Sequence, residues 1–398
     1  MRSLDEALEE LLRRAPQAPS AETIPLGAAL GRILAEQVRS PIDVPGFDNS
    51  QMDGFAVRSG EVQVGSEMSV SQRIAAGHPG SPLAPGTAAR IFTGAPIPLG
   101  ADAVIMQEQA QTTEEGASVR FNSTATAGQN IRPRGGDLRQ GAEVCPAGRR
   151  LSPADLGLLA SIGVGAVSVR RPVRLAVFSS GDELVQPGTP LQPGQIYDSN
   201  RPMLVALAAA LGVQVTDLGV LPDRADVIRD ALAQAGHDHD VVMTCGGVSV
   251  GEEDHIKAAV RAVGELDLWQ VAIKPGKPFA FGRVGRAAFV GLPGNPVSAW
   301  VTFVLLVRPF LLKSTGQSNV RATPIRARAA FNWPSPDARQ EFLRGTLHPA
   351  GEVEIHLKQN SQLLTSITQS DCLVCIPARG VVQAGDPVEV IPFYSLEA

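Results

Sequence analysis

Four stretches between residues 179 and 298 combine residue types that handle anions and metal ions. In Ser179-Ser-Gly-Asp-Glu183, Gly181 permits a tight turn after an apolar run and lifts Asp182 and Glu183 above it. Thr244-Cys-Gly-Gly-Val-Ser-Val-Gly251 brings Gly246, Gly247, Ser249 and Gly251 to the start of a predicted helix. Main-chain amides in such a setting turn inward on phosphate oxygens. Glu252, Glu253 and Asp254 follow at once, and a carboxylate beside a phosphate nest is tolerated when Mg2+ sits between the two. Asp254 is therefore the leading candidate metal ligand, with Asp223 of Leu-Pro-Asp-Arg next. Lys274-Pro-Gly-Lys-Pro278 holds Lys274 and Lys277, two cations suited to phosphate, on a proline-stiffened turn. Gly291-Leu-Pro-Gly-Asn-Pro-Val-Ser298 places Pro293, Gly294, Asn295 and Pro296 in a rigid turn before an apolar helix, whose first amides and Ser298 face any ligand there.

These loops need a scaffold, and the surrounding rhythm supplies one. VRLAVFSS, VQVTDLGVL and DVVMTCGG read as strands, and residues 201–211, 224–235 and 254–263 read as helices. Strand–helix alternation predicts a parallel sheet covered on both faces. Ligands of such sheets bind beyond the carboxyl ends of the strands, where the four stretches lie.

The rest of the chain has another texture. Helices are predicted over 3–14, with Ser3 and Glu6 as a capping box, and over 26–38. Short alternating runs punctuated by Gly and Pro from 45 to 140 predict a small β domain, and Ser152-Pro-Ala-Asp155 opens a further helix. Because that helix is similar in kind to the N-terminal ones, the β domain is expected to be an insertion whose flanks fold together. After Ser318 the runs predict a final β domain. The apolar stretch from Ala299 to Leu312 is interrupted by Arg308 and Pro309 and predicts no membrane insertion.

With 398 residues the chain needs several cores. A formal charge of -5 gives no global basic field, which argues against nucleic acid as a partner and requires anions to be held locally. The charged N-terminus lacks the apolar core of a signal peptide, and Cys145, Cys245, Cys372 and Cys375 read as reduced, buried thiols, so a cytoplasmic location is expected. P-loop, Rossmann and HExxH patterns are absent, which leaves transfer by positioning, charge and backbone donors as the natural chemistry.

Seven ordered runs, PGFDNSQMDGFAV, IFTGAPIPLGADAVIMQE, FSSGDEL, IYDSNRPML, TCGGVSVGEEDHIK, KPGKPFAFG and GLPGNPVSA, resemble those of the molybdopterin molybdenumtransferase family, the module that also forms the C-terminal part of gephyrin. The resemblance implies a multidomain α/β and β architecture: residues 1–44 with 141–171 as a discontinuous helical and extended domain, 45–140 as the inserted β domain, 172–318 as the α/β molybdopterin-binding domain and 319–398 as the C-terminal β domain. It implies a homodimer, molybdate and adenylylated molybdopterin as substrates, Mg2+ as cofactor, and molybdenum cofactor and AMP as products. A molybdopterin adenylyltransferase is the implied substrate donor, with molybdoenzymes or cofactor carriers downstream. The family's functional acids fall on Asp53, Glu183, Asp223 and Asp254, its threonine on Thr93, and its rigid loop on Pro293 and Pro296. Asp53 and Thr93 belong to the β insert because the family's cleft lies between that domain of one subunit and the α/β domain of the other. Cys245 stands where many relatives carry serine.

Overall fold

The computed structural model describes residues 1–113, 115–246, 255–334 and 336–396. Its central sheet has six strands: β1 (Arg174–Ser180), β2 (Gln214–Leu221), β3 (Val241–Cys245), β4 (Gly264–Gln270), β5 (Pro278–Val284) and β6 (Ala287–Leu292). Their order is β2-β1-β3-β6-β5-β4. The first four run parallel, and β5 and β4 are added antiparallel, so the sheet is mixed. β3 and β6 are buried along their whole length, as strands covered on both faces must be. On one face Ile228 and Leu232 of the helix Ala225–Asp238 and Ile256 and Val260 of the helix His255–Val263 pack on Phe178, Val242 and Phe289. The other face holds Leu204 of the helix Asn200–Ala210, the long helix from Pro296, and Ala7, Leu8 and Leu11 of the N-terminal helix Leu4–Arg13.

That N-terminal helix starts with the expected capping box: Glu6 N–H donates to Ser3 Oγ at 3.2 Å and Ser3 N–H to Glu6 Oε2 at 2.8 Å. The second N-terminal helix, expected over 26–38, is not there. A single 3-10 turn, Leu26–Ala28, gives way at Gly31, whose φ of 73° leaves the helical region. Beyond it the amides of Leu34 and Ala35 donate to the carbonyls of Arg149 and Ser168, at 3.0 and 2.9 Å. Ala21–Pro25 pairs with Ala166–Arg170, and Val38–Arg39 with Glu143–Cys145, so chain on both sides of the β insert is joined by strand ladders. The insert itself is a six-stranded sheet with Phe55, Val57, Ile105 and Phe121 in its core.

The apolar stretch near residue 300 also differs from expectation. The helix runs unbroken from Pro296 to Ser314, 19 residues, through Arg308 and Pro309. A π-helical segment, Phe303–Val307, lies immediately before, where widening accommodates the proline's missing N–H and its ring. By length and composition this helix could cross a membrane, but 94% of its apolar window is buried inside the protein, and it serves as the core helix of the α/β unit.

The C-terminal strands close on themselves. Gln340–Leu347 pairs with Glu352–Ile355 and Cys372–Ile376, and Ile325–Ala329 and Pro387–Pro392 complete the ring. Ile273–Lys274, from the loop between β4 and β5, adds parallel to Gln340–Glu341 and ties this barrel to the α/β unit.

Candidate functional site

The chain leaves β1 for the sheet edge at β2 and returns on the opposite side of β1 as β3. This reversal opens a crevice above the carboxyl ends of β1 and β3, the favoured ligand position of open α/β sheets. Ser179, Ser180 and Gly181 end β1, Gly246 ends β3, and Pro293, Gly294 and Asn295 end β6. The crevice widens into a cleft of about 710 Å3 against the C-terminal barrel, lined on the α/β side by Glu183, Gly246, Lys277, Gly294, Asn295 and Ser298. A Cβ at Gly181 would lie 2.6 Å from Glu183 Oε2, the far end of a flexible side chain that can move aside. Ser180 Oγ–H donates to Asp223 Oδ1 at 3.2 Å, so Asp223 hangs over the end of β1 from the end of β2. Ser179 Oγ is buried without a partner. Gly247, Ser249, Gly251 and Asp254 lie outside the described residues.

The rigid proline turn is held from below. Asn200 Nδ2–H donates to the Gly294 carbonyl at 2.7 Å and to Cys245 Sγ at 3.1 Å, and the Cys245 thiol donates to the Pro293 carbonyl at 3.1 Å. Burial pushes the Cys245 thiol up to about 12, so it acts as a neutral hydrogen-bonding group. From above, Val297 N–H, one of the free amides of the helix start, donates to the Ser361 carbonyl at 3.0 Å and docks the turn on the barrel.

The barrel supplies the opposite wall, and sequence reasoning did not single out its residues. Lys274 Nζ lies 2.9 Å from Glu341 Oε1 and 3.3 Å from Asp337 Oδ2. The Glu341 contact, foremost, raises the lysine's pKa. Trp333 Nε1–H donates to the other Glu341 oxygen at 2.8 Å, and Arg339 holds Asp337 well below the usual carboxylate range. Lys274 is thus engaged by carboxylates, whereas Lys277 is in no ion pair among the described residues. Arg344 is the unusual member. It is 1% exposed, lines the cleft, and donates through Nε to Ser366 Oγ at 3.2 Å and through Nη1 to the Phe342 carbonyl at 3.2 Å. Its Nη2 has no partner among the described residues. Gln359 clamps the Arg344 backbone from both sides, donating to its carbonyl and accepting its amide. Burial lowers the guanidinium to about 10, which leaves it charged at neutral pH. A buried cation with a free donor and no carboxylate is poised for an anion.

Asp53 and Thr93 meet in the β insert. Thr93 N–H and Oγ–H both donate to Asp53 Oδ1 at 2.7 Å, and the backbone bond above all lowers the carboxyl's pKa. Gly54 is obligatory beside them, since a Cβ would sit 1.9 Å from the Ile105 carbonyl oxygen. Neither Asp53 nor Thr93 lines the cleft of its own chain. Among the described residues no three His, Cys, Asp or Glu side chains gather into a metal cluster. Mg2+ commonly takes one or two carboxylates plus phosphate oxygens, and the hard oxygens of Glu183 and Asp223 at adjacent strand ends fit that demand.

Three family models match the chain: the MoeA N-terminal region (domain I and II) over residues 2–163, a probable molybdopterin binding domain over 176–313, and the MoeA C-terminal region (domain IV) over 326–393. The chain is 43% identical to the molybdopterin molybdenumtransferase of Haemophilus influenzae, with 100% of both chains covered, and 35% identical to that of a Nostoc species, with 93% and 88% covered. Among solved structures, a molybdopterin biosynthesis MoeA protein of Pyrococcus horikoshii superposes with a TM-score of 0.81 at 33% identity, covering 98% of each chain.

Proposed function

The chain belongs to the MoeA, or molybdopterin molybdenumtransferase, family, transferases of molybdenum cofactor synthesis, and from that premise we propose that it loads molybdenum from molybdate onto adenylylated molybdopterin with Mg2+-dependent release of AMP. The observation that carries the reading is Arg344, a buried guanidinium with an unpartnered N–H on the cleft wall facing the sheet's switch point. In this reading Arg344 and Lys277 hold molybdate, and the 246–251 glycine loop and the 293–296 turn hold the diphosphate across the ends of β1, β3 and β6. Glu183, Asp223 and Asp254 are the Mg2+ ligands, and the ion, when bound, offsets the charge of the phosphates. The two dithiolene sulfurs displace two oxo groups of molybdate, each leaving as water after taking up two protons, while water opens the phosphoanhydride to AMP. The sulfur chemistry belongs to the pterin, and the protein contributes placement and electrostatics.

Asp53 and Thr93 enter this scheme from a second copy of the chain in a homodimer, which accounts for their place in the β insert. The proposed donor of the adenylylated substrate is a molybdopterin adenylyltransferase, and molybdoenzymes or carriers take the product, in the cytoplasm. The test is AMP release from adenylylated molybdopterin by the full chain, with and without molybdate and Mg2+, beside Asp254→Ala and Arg344→Gln. Release that needs both ions and is lost in either variant is expected. Tight binding of the adenylylated pterin without AMP release under any condition sinks the transferase reading.

A further inference from the structure

A second, smaller recess lies where the Arg171-Pro172 linker passes the end of the helix Asn200–Ala210. It measures about 180 Å3, a quarter of the main cleft, and Arg32, Arg150, Arg170 and Arg171 all line it. A single acid answers these four cations: Glu22, 2.5 Å from Arg32 Nη2 and 3.8 Å from Arg171 Nε. Arg150 and Arg170 form no ion pair among the described residues. Part of Arg150 has a structural task, because Nη2–H donates to the Ala210 carbonyl at 3.1 Å and caps the helix end. That leaves Nη1, which is shielded from solvent and has no partner among the described residues. A guanidinium N–H hidden from water without an acceptor is costly, and Arg32, Arg170 and Arg171 line the same recess. The arrangement lacks only an acceptor-rich, doubly negative group small enough to enter.

We propose that this recess binds a tetrahedral dianion of the phosphate, sulfate or molybdate type between Arg32, Arg150 and Arg171, bracing the linker against the α/β unit. The volume suits one such ion and its waters, and no residue lining the recess lines the main cleft, so the site is separate from the cleft. Planar guanidinium forks match tetrahedral oxyanions two N–H groups at a time.

The test uses the full chain carrying Arg344→Gln and Lys277→Gln, so that both side chains assigned to molybdate in the main cleft are removed. Its thermal unfolding is followed while phosphate, sulfate or molybdate replaces chloride at constant ionic strength. A saturable rise in unfolding temperature is expected, and the dianion with the lowest apparent Kd identifies the natural source. Adding Arg150→Gln raises that Kd about ten-fold or more. Arg171→Gln, on a side chain 61% exposed, serves as the second variant where loss of the Arg150 cap prevents folding. No saturable rise with any of the three ions, or a Kd unmoved by both substitutions, overturns the proposal.

Discussion

Arg308 and Arg344 are both almost fully buried, 5% and 1% exposed, yet they do opposite things. Arg308, in the core helix, points its guanidinium at the carbonyls of Leu396, Val320 and Ser395, at 2.8, 3.2 and 3.0 Å, and so pins the C-terminus to the α/β unit. Arg344, on the barrel wall of the cleft, meets one hydroxyl and one carbonyl and keeps Nη2 unpartnered among the described residues. Burial depresses both pKa values, so burial alone does not separate a structural arginine from a binding one. The discriminating quantity is the number of donors left over once the protein's own acceptors are used.

Arg308→Met should break the first half of the comparison most strongly. Two buried carbonyls and one half-buried carbonyl lose their donor, and a loss of about 3 kcal/mol in urea unfolding is expected, with AMP release at low temperature little changed. A variant as stable as the parent would show that the carbonyls find other donors. Arg344→Gln should act on chemistry: about 100-fold slower molybdate-dependent AMP release, equivalent to about 2.7 kcal/mol, seen mainly as a raised KM for molybdate. Unaltered molybdate dependence would make Arg344 another structural arginine. Asn200→Ala, which frees the Gly294 carbonyl and the Cys245 thiol, should raise KM for the adenylylated pterin about ten-fold, with Cys245→Ser near neutral because serine keeps both hydrogen bonds. A small effect belongs to Asp337. Its carboxyl is depressed from 3.8, chiefly by Arg339, so its contribution is whole above the ordinary carboxylate range and fades as pH falls through the lower folded value. Asp337→Asn should therefore cost under about 1 kcal/mol at pH 7 and flatten the acid limb of a stability–pH curve.

The α/β half was legible because its chemistry lies in local punctuation. Gly181, Gly246 and the 293–296 turn announce strand ends, and the alternation of strand and helix places those ends together. The barrel wall was not legible, because Glu341 and Arg344 sit in an ordinary-looking alternating strand. Their place on the cleft wall comes from pairing with Ile273–Lys274 and Cys372–Ile376, which are remote in sequence. Residues 26–38 failed for a related reason. Leu26, Leu30, Ile33 and Leu34 recur at near-helical spacing, but Gly31 ends the turn and acceptors more than a hundred residues away claim the amides of Leu34 and Ala35.

The short ladder between Ile273–Lys274 and Gln340–Glu341 has a practical corollary for anyone dividing this protein. Cut after residue 318, the barrel would present the Gln340–Glu341 backbone as a bare rim, ready to recruit a strand from a neighbouring molecule. The α/β fragment would keep its crevice but lose the carboxylates that neutralise Lys274. Truncations made to simplify binding studies should therefore aggregate at one piece and bind anions indiscriminately at the other.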